Sequence, residues 1–568
     1  MRITNTMITR NTKSNINSNK LLVDKYNTQM TTQKKIAKAS ENPVIAIRSL
    51  RLSTTMSHIN QYVDNNIPDA NAWMEVTQTA LVNMESILDD IRTQCVNGST
   101  DTKNPDDRKV ILDNLKALAE QVYKEGNADY AGKTVFTGYR TSSRLTFEED
   151  EVDTKYEIEQ SFDYSDLEEK RYYTGTVQVP ETLNGKTDCT TNVEENTYER
   201  IRLAYNGDTE INEFTYGFDY VDDNGTPGDK TDDVEKRLEF NFVQDENNPG
   251  TYTPKAYIIT YDENGNPKLD ANGNVEKIAA EATDLQNLGV EKPSFKTYPN
   301  EQAWEDATAT ATQNGTKIVQ DNAIIYIEET GEFIFGNKVA NNISDKKCTM
   351  DVTYTKEGFN NGELRPEYYY NCKDITDDEE ANHVQYMKQN QEIRYTIANN
   401  TTIVINTQAD EVFNSDIKRD VDELINVVQK ALNAADKVTQ IENMMSEAQY
   451  QDAGSQKMLQ TYLDAAKKEM DYADDNLQKT YEAYIGRFDG YMQSTNIAIT
   501  NLGSMMNSLK LTQTRVENQQ MTIQELKSDN EDRDISDIII DYYASYNAYQ
   551  SSLTAAGKLG ERSLLDYI

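Results

Sequence analysis

The sequence predicts an α+β protein in which long antiparallel, coiled-coil-like helices from both termini carry a β-rich variable insertion in the middle of the chain. Three observations predict it. An apolar seam of helical period runs from Leu459 to Leu526, shorter helical stripes fill the N-terminal quarter, and strand-and-turn patterns occupy about 142–407. The seam steps by threes and fours through Leu459, Leu463, Ala466, Met470, Ala473 and Leu477. After one four-residue stutter it continues through Tyr481, Tyr484, Phe488, Tyr491, Ala498, Leu502, Met505, Leu509, Val516 and Ile523. Unbroken, such a helix extends roughly 100 Å and cannot bury its own stripe. Other helices must cover it. Gly486, Gly490 and Gly503 fall inside it and predict a hinge.

From the N-terminus, Leu22, Tyr26 and Met30 stand four apart. Pro43 suits the first turn of a second helix, capped by Ser40 or Asn42 and carrying Ile47, Leu50, Thr54 and His58. His58 on that face reads as structural. Pro68 or Asp69 opens a third run, from Trp73 through Val76, Ala80, Met84, Ile87 and Ile91 to Cys95. Gly98 closes it in the position of a C-terminal cap. Asn104, Pro105, Asp106 and Asp107 then start a helix with the stripe Ile111, Leu115, Leu118 and Val122. These last two runs, with Ile417–Val438, are the expected cover for the seam.

Between 142 and 407, alternating β-branched and aromatic segments such as AIIYIEETGEFIF, DVTYTKEG and EIRYTIANNTTIVIN are bounded by Asn-Gly and Thr-Gly turns. The expected domains are residues 1–145, helical; 146–407, β-rich; and 408–568, helical. The last ends in an amphipathic tail with Ile538, Tyr542, Tyr549 and Leu553 in one stripe. Lying beyond the stalk, that tail is expected to be short of chain to cover it, which points to partner helices.

Composition narrows the function classes. A net charge of −39 over 568 residues argues against nucleic acid as a partner. No apolar run approaches the length of a membrane span, and the polar N-terminus has no h-region, so neither membrane insertion nor a cleaved secretory signal is expected. Cys95, Cys189, Cys348 and Cys372 form no CxxC pair, and His58 and His383 stand in no metalloprotease arrangement. The acidic stretch Asp219–Asp233 misses the ligand order of an EF-hand and reads as a solvated turn. EYYYN (Glu367 to Asn371) offers a sugar-stacking platform or, more plainly, a half-exposed strand. No catalytic constellation, cofactor motif or metal site is expected, and the chain reads as a non-enzyme.

The opening MRIT, the segment QMTTQKKIAKASENPVIAIRSLRL (Gln29 to Leu52) and GKTVFTGYRT (Gly132 to Thr141) resemble the bacterial flagellin and hook-associated protein 3 superfamily. So do NEDRDISDIII (Asn530 to Ile540) and the ending SLLDYI (Ser563 to Ile568). Gln33 departs from the glycine usual in its loop, and Glu41-Asn42 stand where two aspartates are common. The resemblance implies a structural flagellar subunit, exported unprocessed through the type III apparatus and located at the hook–filament junction. SENPVIAIRSLRL and the β element at Gln391–Phe413 favour that junction branch over filament flagellin. A type III effector or translocator would need a membrane-inserting segment, and none is present. Implied partners are further copies in a ring or helical assembly, hook-associated protein 1, flagellin and an export chaperone. The implied assembly residues are Leu22, Tyr26, Met30, Leu502, Met505, Leu509, Val516, Ile523, Ile538, Tyr542, Tyr549, Leu553, Leu564 and Leu565.

Overall fold

The computed structural model describes residues 5–100, 105–183, 189, 193–222, 234–245, 248–262, 265–270, 273–313 and 319–561. Its helices are α1 (Asn5–Thr32), α2 (Pro43–Gln61), α3 (Ile67–Gly98), α4 (Pro105–Ala119) and the short α5 (Ala282–Asn287). They continue with α6 (Glu301–Gln313), α7 (Asn337–Lys346), α8 (Ser415–Ser446), α9 (Ala453–Glu531) and α10 (Ile535–Glu561). The chain divides into two compact units, whose boundary falls inside α3 and α9. Unit 1 holds residues 1–74, 394–405 and 503–568; unit 2 holds 75–393 and 406–502.

Local chemistry sets the starts of α2 and α4. Asn42 caps α2, its side chain accepting from Val44 N and Ile45 N, and Pro43 takes the first position, where a missing N–H costs nothing. Pro105, with Asp106 and Asp107 behind it, opens α4, although the expected cap at Asn104 lies outside the described residues. Pro68 does not start a helix. It lies within the first turn of α3, directly after a π-helical turn over Tyr62–Asn66, where Ile67 N donates to Tyr62 O. The wider turn accommodates a proline that offers no N–H to the helical ladder.

In unit 2 the seam finds its cover. Leu459, Leu463, Ala466, Leu477, Tyr481, Tyr484 and Phe488 of α9 are buried, as are Met84, Leu88, Ile91 and Cys95 of α3, Ile111 and Leu115 of α4, and Val421, Leu424 and Val428 of α8. Ion pairs mark the flanks: Arg92 Nε–Asp489 Oδ1 at 2.5 Å, Lys437 Nζ–Glu469 Oε1 at 2.8 Å, and Arg108 with Asp474. Gly98 does not adopt the left-handed cap conformation. It permits close approach instead, because a Cβ there would lie 2.3 Å from Tyr481 Cζ. α9 runs helical through Gly486, Gly490 and Gly503, where an added Cβ would meet nothing within 4 Å, and the division between the two units falls at Gly503.

The strands are β1 (Asp129–Tyr130), β2 (Lys133–Thr134), β3 (Glu151–Asp163), β4 (Glu168–Thr174), β5 (Glu194–Arg202) and β6 (Thr209–Asp222). Next come β7 (Val234–Asp245), β8 (Asn248–Thr260), β9 (Lys277–Ala279), β10 (Ser294–Tyr298), β11 (Ala323–Ile327) and β12 (Glu332–Phe335). The last are β13 (Thr349–Phe359), β14 (Asn371–Asp374), β15 (Val384–Tyr386), β16 (Arg394–Ala398) and β17 (Thr401–Val404). An eight-stranded antiparallel sheet has the order β15-β14-β3-β13-β6-β7-β8-β9; a five-stranded sheet has β10-β11-β12-β5-β4, with only β10 and β11 parallel. Their facing sides share one aromatic core, in which Phe214 meets Phe333 at 4.8 Å and Phe242 meets Phe295 at 5.3 Å. Strand parity sends the alternate residues Ile325, Ile327 and Ile334 to the other face, where Trp304 of α6 packs edge-on to Tyr172 at 4.9 Å. Burial on both faces explains why AIIYI and the FIF of Phe333–Phe335 read as unbroken apolar runs.

That same outer face of the five-stranded sheet meets α8 and α9 through charge. Arg202 Nη2 pairs with the fully buried Asp420 at 2.5 Å, and Arg200 Nη1 with Glu332 at 2.8 Å and Glu423 at 3.1 Å. Arg487 of α9 reaches both Glu168 at 2.5 Å and Asp420 at 2.8 Å. EYYYN is not the expected half-exposed strand: Tyr368 ends a 3₁₀ turn, Tyr369 is buried, and only Asn371 enters β14. Most of the acidic stretch, residues 223–233, lies outside the described residues.

Candidate assembly surface

Unit 1 gathers the chain ends. The tail expected to lie uncovered, α10, pairs antiparallel with α1. Asn19 Nδ2 donates to Ser552 Oγ at 2.7 Å, Arg533 Nη1 donates to Gln29 Oε1 at 2.9 Å, and the Arg533 guanidinium sits 5.4 Å above the Tyr26 ring. The segment after α1 is tied to the turn before α10. Lys35 N donates to Glu531 O at 2.6 Å and Arg533 N to Gln33 O at 3.0 Å, while Lys34 Nζ pairs with Asp532 at 2.5 Å and Glu531 at 3.0 Å. Hydrogen bonding to Asp532, with help from Glu531, holds the Lys34 ammonium above its usual pKa. Gln33 has φ +56°, in the left-handed region that favours glycine.

α2 lies along α9. Gln520 Nε2 donates to Asn60 Oδ1 at 2.9 Å, Asn530 Nδ2 to Ile45 O at 3.1 Å, and Ser49 hydrogen-bonds Glu531. The hairpin β16–β17 closes onto this pair, with Ile59, Ala398 and Val516 in one small core and Asn66 Nδ2 donating to Thr396 O at 2.7 Å. Beside that core is a groove of roughly 1000 Å³, lined by His58, Tyr62, Asn399, Leu511, Arg515 and Ile523 among others. His58 is exposed and faces this groove.

The anticipated assembly residues divide by burial. Leu502, Leu509, Val516 and Ile538 are buried, at 1%, 1%, 1% and 0% exposure, and so are occupied within the chain. Tyr26, Met30, Met505, Ile523, Tyr542 and Tyr549 are half-buried; Leu22 and Leu553 are exposed. Leu564 and Leu565 lie outside the described residues. The open apolar surface of unit 1 is carried largely by residues outside the anticipated assembly set. On α2 they are Val44, Ile47 and Leu50, at 75%, 54% and 68% exposure. On α9 they include Leu511 and Met521, and on α10 Ile540 and Tyr543. On α2 the stripe read from the sequence, Ile47 and Leu50, is itself the open face, whereas on α9 and α10 the stripe is the face that packs and a second apolar face stays open. The III run and the YY pair of α10 carried the signal, since they leave its first turns apolar nearly all round. Single exposed apolar side chains mean little, but grouped ones of this kind mark contact surfaces.

Among the described residues no group of three His, Cys, Asp or Glu could hold a metal ion. Nor is any described helix long and apolar enough to cross a membrane. Grouped open apolar side chains of this kind can be buried against another protein.

Comparison with known proteins supplies the class first. Residues 3–141 match the family model of the bacterial flagellin N-terminal helical region, so the resemblance to that superfamily is borne out. The curated relatives then narrow it, because both are hook-associated proteins 3. The flagellar hook-associated protein 3 of Escherichia coli (strain K12) is 25% identical over 126 residues, 22% of this chain and 39% of the relative. That of Salmonella typhimurium is 24% identical over 144 residues, 25% of this chain and 45% of the relative. The chain thus spans less than half the length of either relative it matches. Among solved structures, flagellar hook associated protein-3 from Legionella pneumophila aligns over 84% of this chain and 96% of its own at 9% identity and TM-score 0.26. The flagellar junction protein FlgL of the same organism gives 81%, 99%, 9% and 0.24.

Proposed function

We propose that this protein is a structural subunit of the bacterial flagellum, placed at the hook–filament junction, where it allows the filament to assemble. One observation carries the reading: a flagellin-type N-terminal region whose helices, joined to the C-terminal helices in unit 1, leave grouped apolar side chains open. The choice of the junction over the filament rests on the curated relatives, both named hook-associated protein 3. In this role the chain is a non-enzyme that forms a ring or helical assembly with its own copies. It joins hook-associated protein 1 on one side and flagellin on the other, and an export chaperone covers the terminal helices before assembly.

Immunolabelling of isolated flagella tests this. A narrow band at the hook end is expected. Labelling along the whole filament would make the chain a filament subunit, and no labelling at all would remove it from the flagellum.

A further inference from the structure

The open face of α2 is basic as well as apolar. Arg48 and Arg51 are exposed beside Val44, Ile47 and Leu50, neither takes part in an ion pair among the described residues, and α2 contains no acidic residue. The open face at the start of α10 has the opposite sign. Ile539, Ile540 and Tyr543 are exposed there with Asp537, which likewise makes no ion pair among the described residues. The neighbouring charges are already engaged, since Asp541 pairs with Arg533 and Asp532 with Lys34. One molecule therefore presents two apolar faces with unsatisfied charge of opposite sign.

We infer that these two faces are the two halves of one contact: the α2 face of one copy takes the α10 face of the next copy. The occupant is a second copy of this chain, because the complementary charge and helix face are both present in it. An α2-on-α2 contact would place arginines against arginines, which costs free energy on close approach. A contact between two different patches is heterologous, and such contacts repeat into closed rings or helical arrays, whereas a self-complementary patch stops at a dimer. The apolar side chains supply the burial and the charges select the partner face.

This inference rests on the flagellar-subunit reading, and the experiment separates the two. In a full-length Cys189→Ser background, Cys95, Cys348 and Cys372 stay buried, so an introduced thiol is the accessible one. Ile47→Cys and Ile540→Cys chains, differently tagged, are co-expressed in a strain lacking the natural copy, and the isolated flagella are oxidised. A disulfide forms only where Cα atoms approach within about 7 Å. A mixed 47–540 dimer is expected, at least tenfold above either homodimer. A dominant 47–47 homodimer would overturn the inference in favour of a self-complementary contact. Flagella that hold both chains without any cross-link would overturn it outright, and absence of the wild-type chain from flagella would remove the parent reading and this one together. Charge supplies a second readout. Arg48→Glu with Arg51→Glu is expected to cut incorporation about tenfold, and adding Asp537→Arg to the same chain to restore part of it. Incorporation unchanged by the arginine reversals would overturn the assignment of α2.

Discussion

Gly98 shows how one residue can be placed correctly in sequence and misread in cause. Its position after a helical stripe suggests a left-handed cap, yet what it provides is room, because Tyr481 of α9 lies where a side chain would be. Tyr481 is fully buried, so it cannot swing into solvent to make room. Gly98→Ala is therefore expected to destabilise unit 2 by about 1–3 kcal/mol, the usual cost of overpacking, despite the gain in helix propensity. Chemical denaturation followed by Trp304 fluorescence checks this, and an unchanged midpoint would show that the helices separate freely. Gly486, Gly490 and Gly503 teach the converse, since they face open space inside a continuous helix. Nothing in sequence distinguishes a glycine required by a neighbour from one that is merely tolerated. The difference lies in what stands opposite, and here that is supplied by a residue nearly four hundred positions away.

At the scale of elements, the seam was legible because its apolar period is long and a helix of that length needs a cover. The β middle was legible from alternation and turn residues. The junction of the five-stranded sheet with α8 and α9 was not. Arg200 and Arg202 flank Ile201 in the alternation of a strand with a solvated face, and only tertiary packing turns that face against Asp420, Glu332 and Glu423. Burial opposes ionisation of Glu168, but Arg202, Arg200 and Arg487 more than offset it and pull its pKa from 4.5 to about 2. The buried Glu332 and Glu423 are held low in the same way: burial raises both, with Lys170 and Arg200 outweighing it for Glu332, and Arg200 and Lys170 for Glu423. Asp416 goes the other way, raised by burial. For a depressed carboxylate the stabilisation is complete above the unfolded pKa and disappears as pH falls through the folded one. Between pH 4.5 and about 2, Glu168 is thus expected to withdraw about 3 kcal/mol from unit 2. Urea titrations at pH 6, 4 and 2.5 would measure it. Glu168→Gln should lower stability at pH 6 and flatten the profile, and a wild-type profile already flat from pH 6 to 2.5 would rule out the network as a pH-linked contact.

Over the whole molecule, charge is divided far more unevenly than composition suggests. Unit 1 carries 17 Lys and Arg against 14 Asp and Glu, which leaves unit 2 with 40 against 82. The net charge of −39 is thus entirely a property of unit 2, while the unit with the open apolar faces is slightly positive. Two opposing salt effects follow for copies that pack through unit 1. Ion pairs such as Arg48 with Asp537 weaken as salt screens them, by a fraction of a kcal/mol each at an exposed site. Repulsion between neighbouring acidic units weakens as well, and it involves far more charge. At about 10 mM ionic strength the screening length is roughly 30 Å, so neighbouring units repel at long range; near 150 mM it is about 8 Å and most of that repulsion is gone. Repulsion should dominate, and self-association of the full chain should strengthen as NaCl rises from 10 to 150 mM. Sedimentation velocity across that series checks the sign. Replacing the exposed cluster Glu148, Glu149 and Asp150 of unit 2 by Gln, Gln and Asn should shift the curve towards lower salt. If association instead weakens steadily with salt, the few complementary pairs of unit 1 outweigh the acidic field of unit 2, and assembly is driven by charge attraction more than by apolar burial.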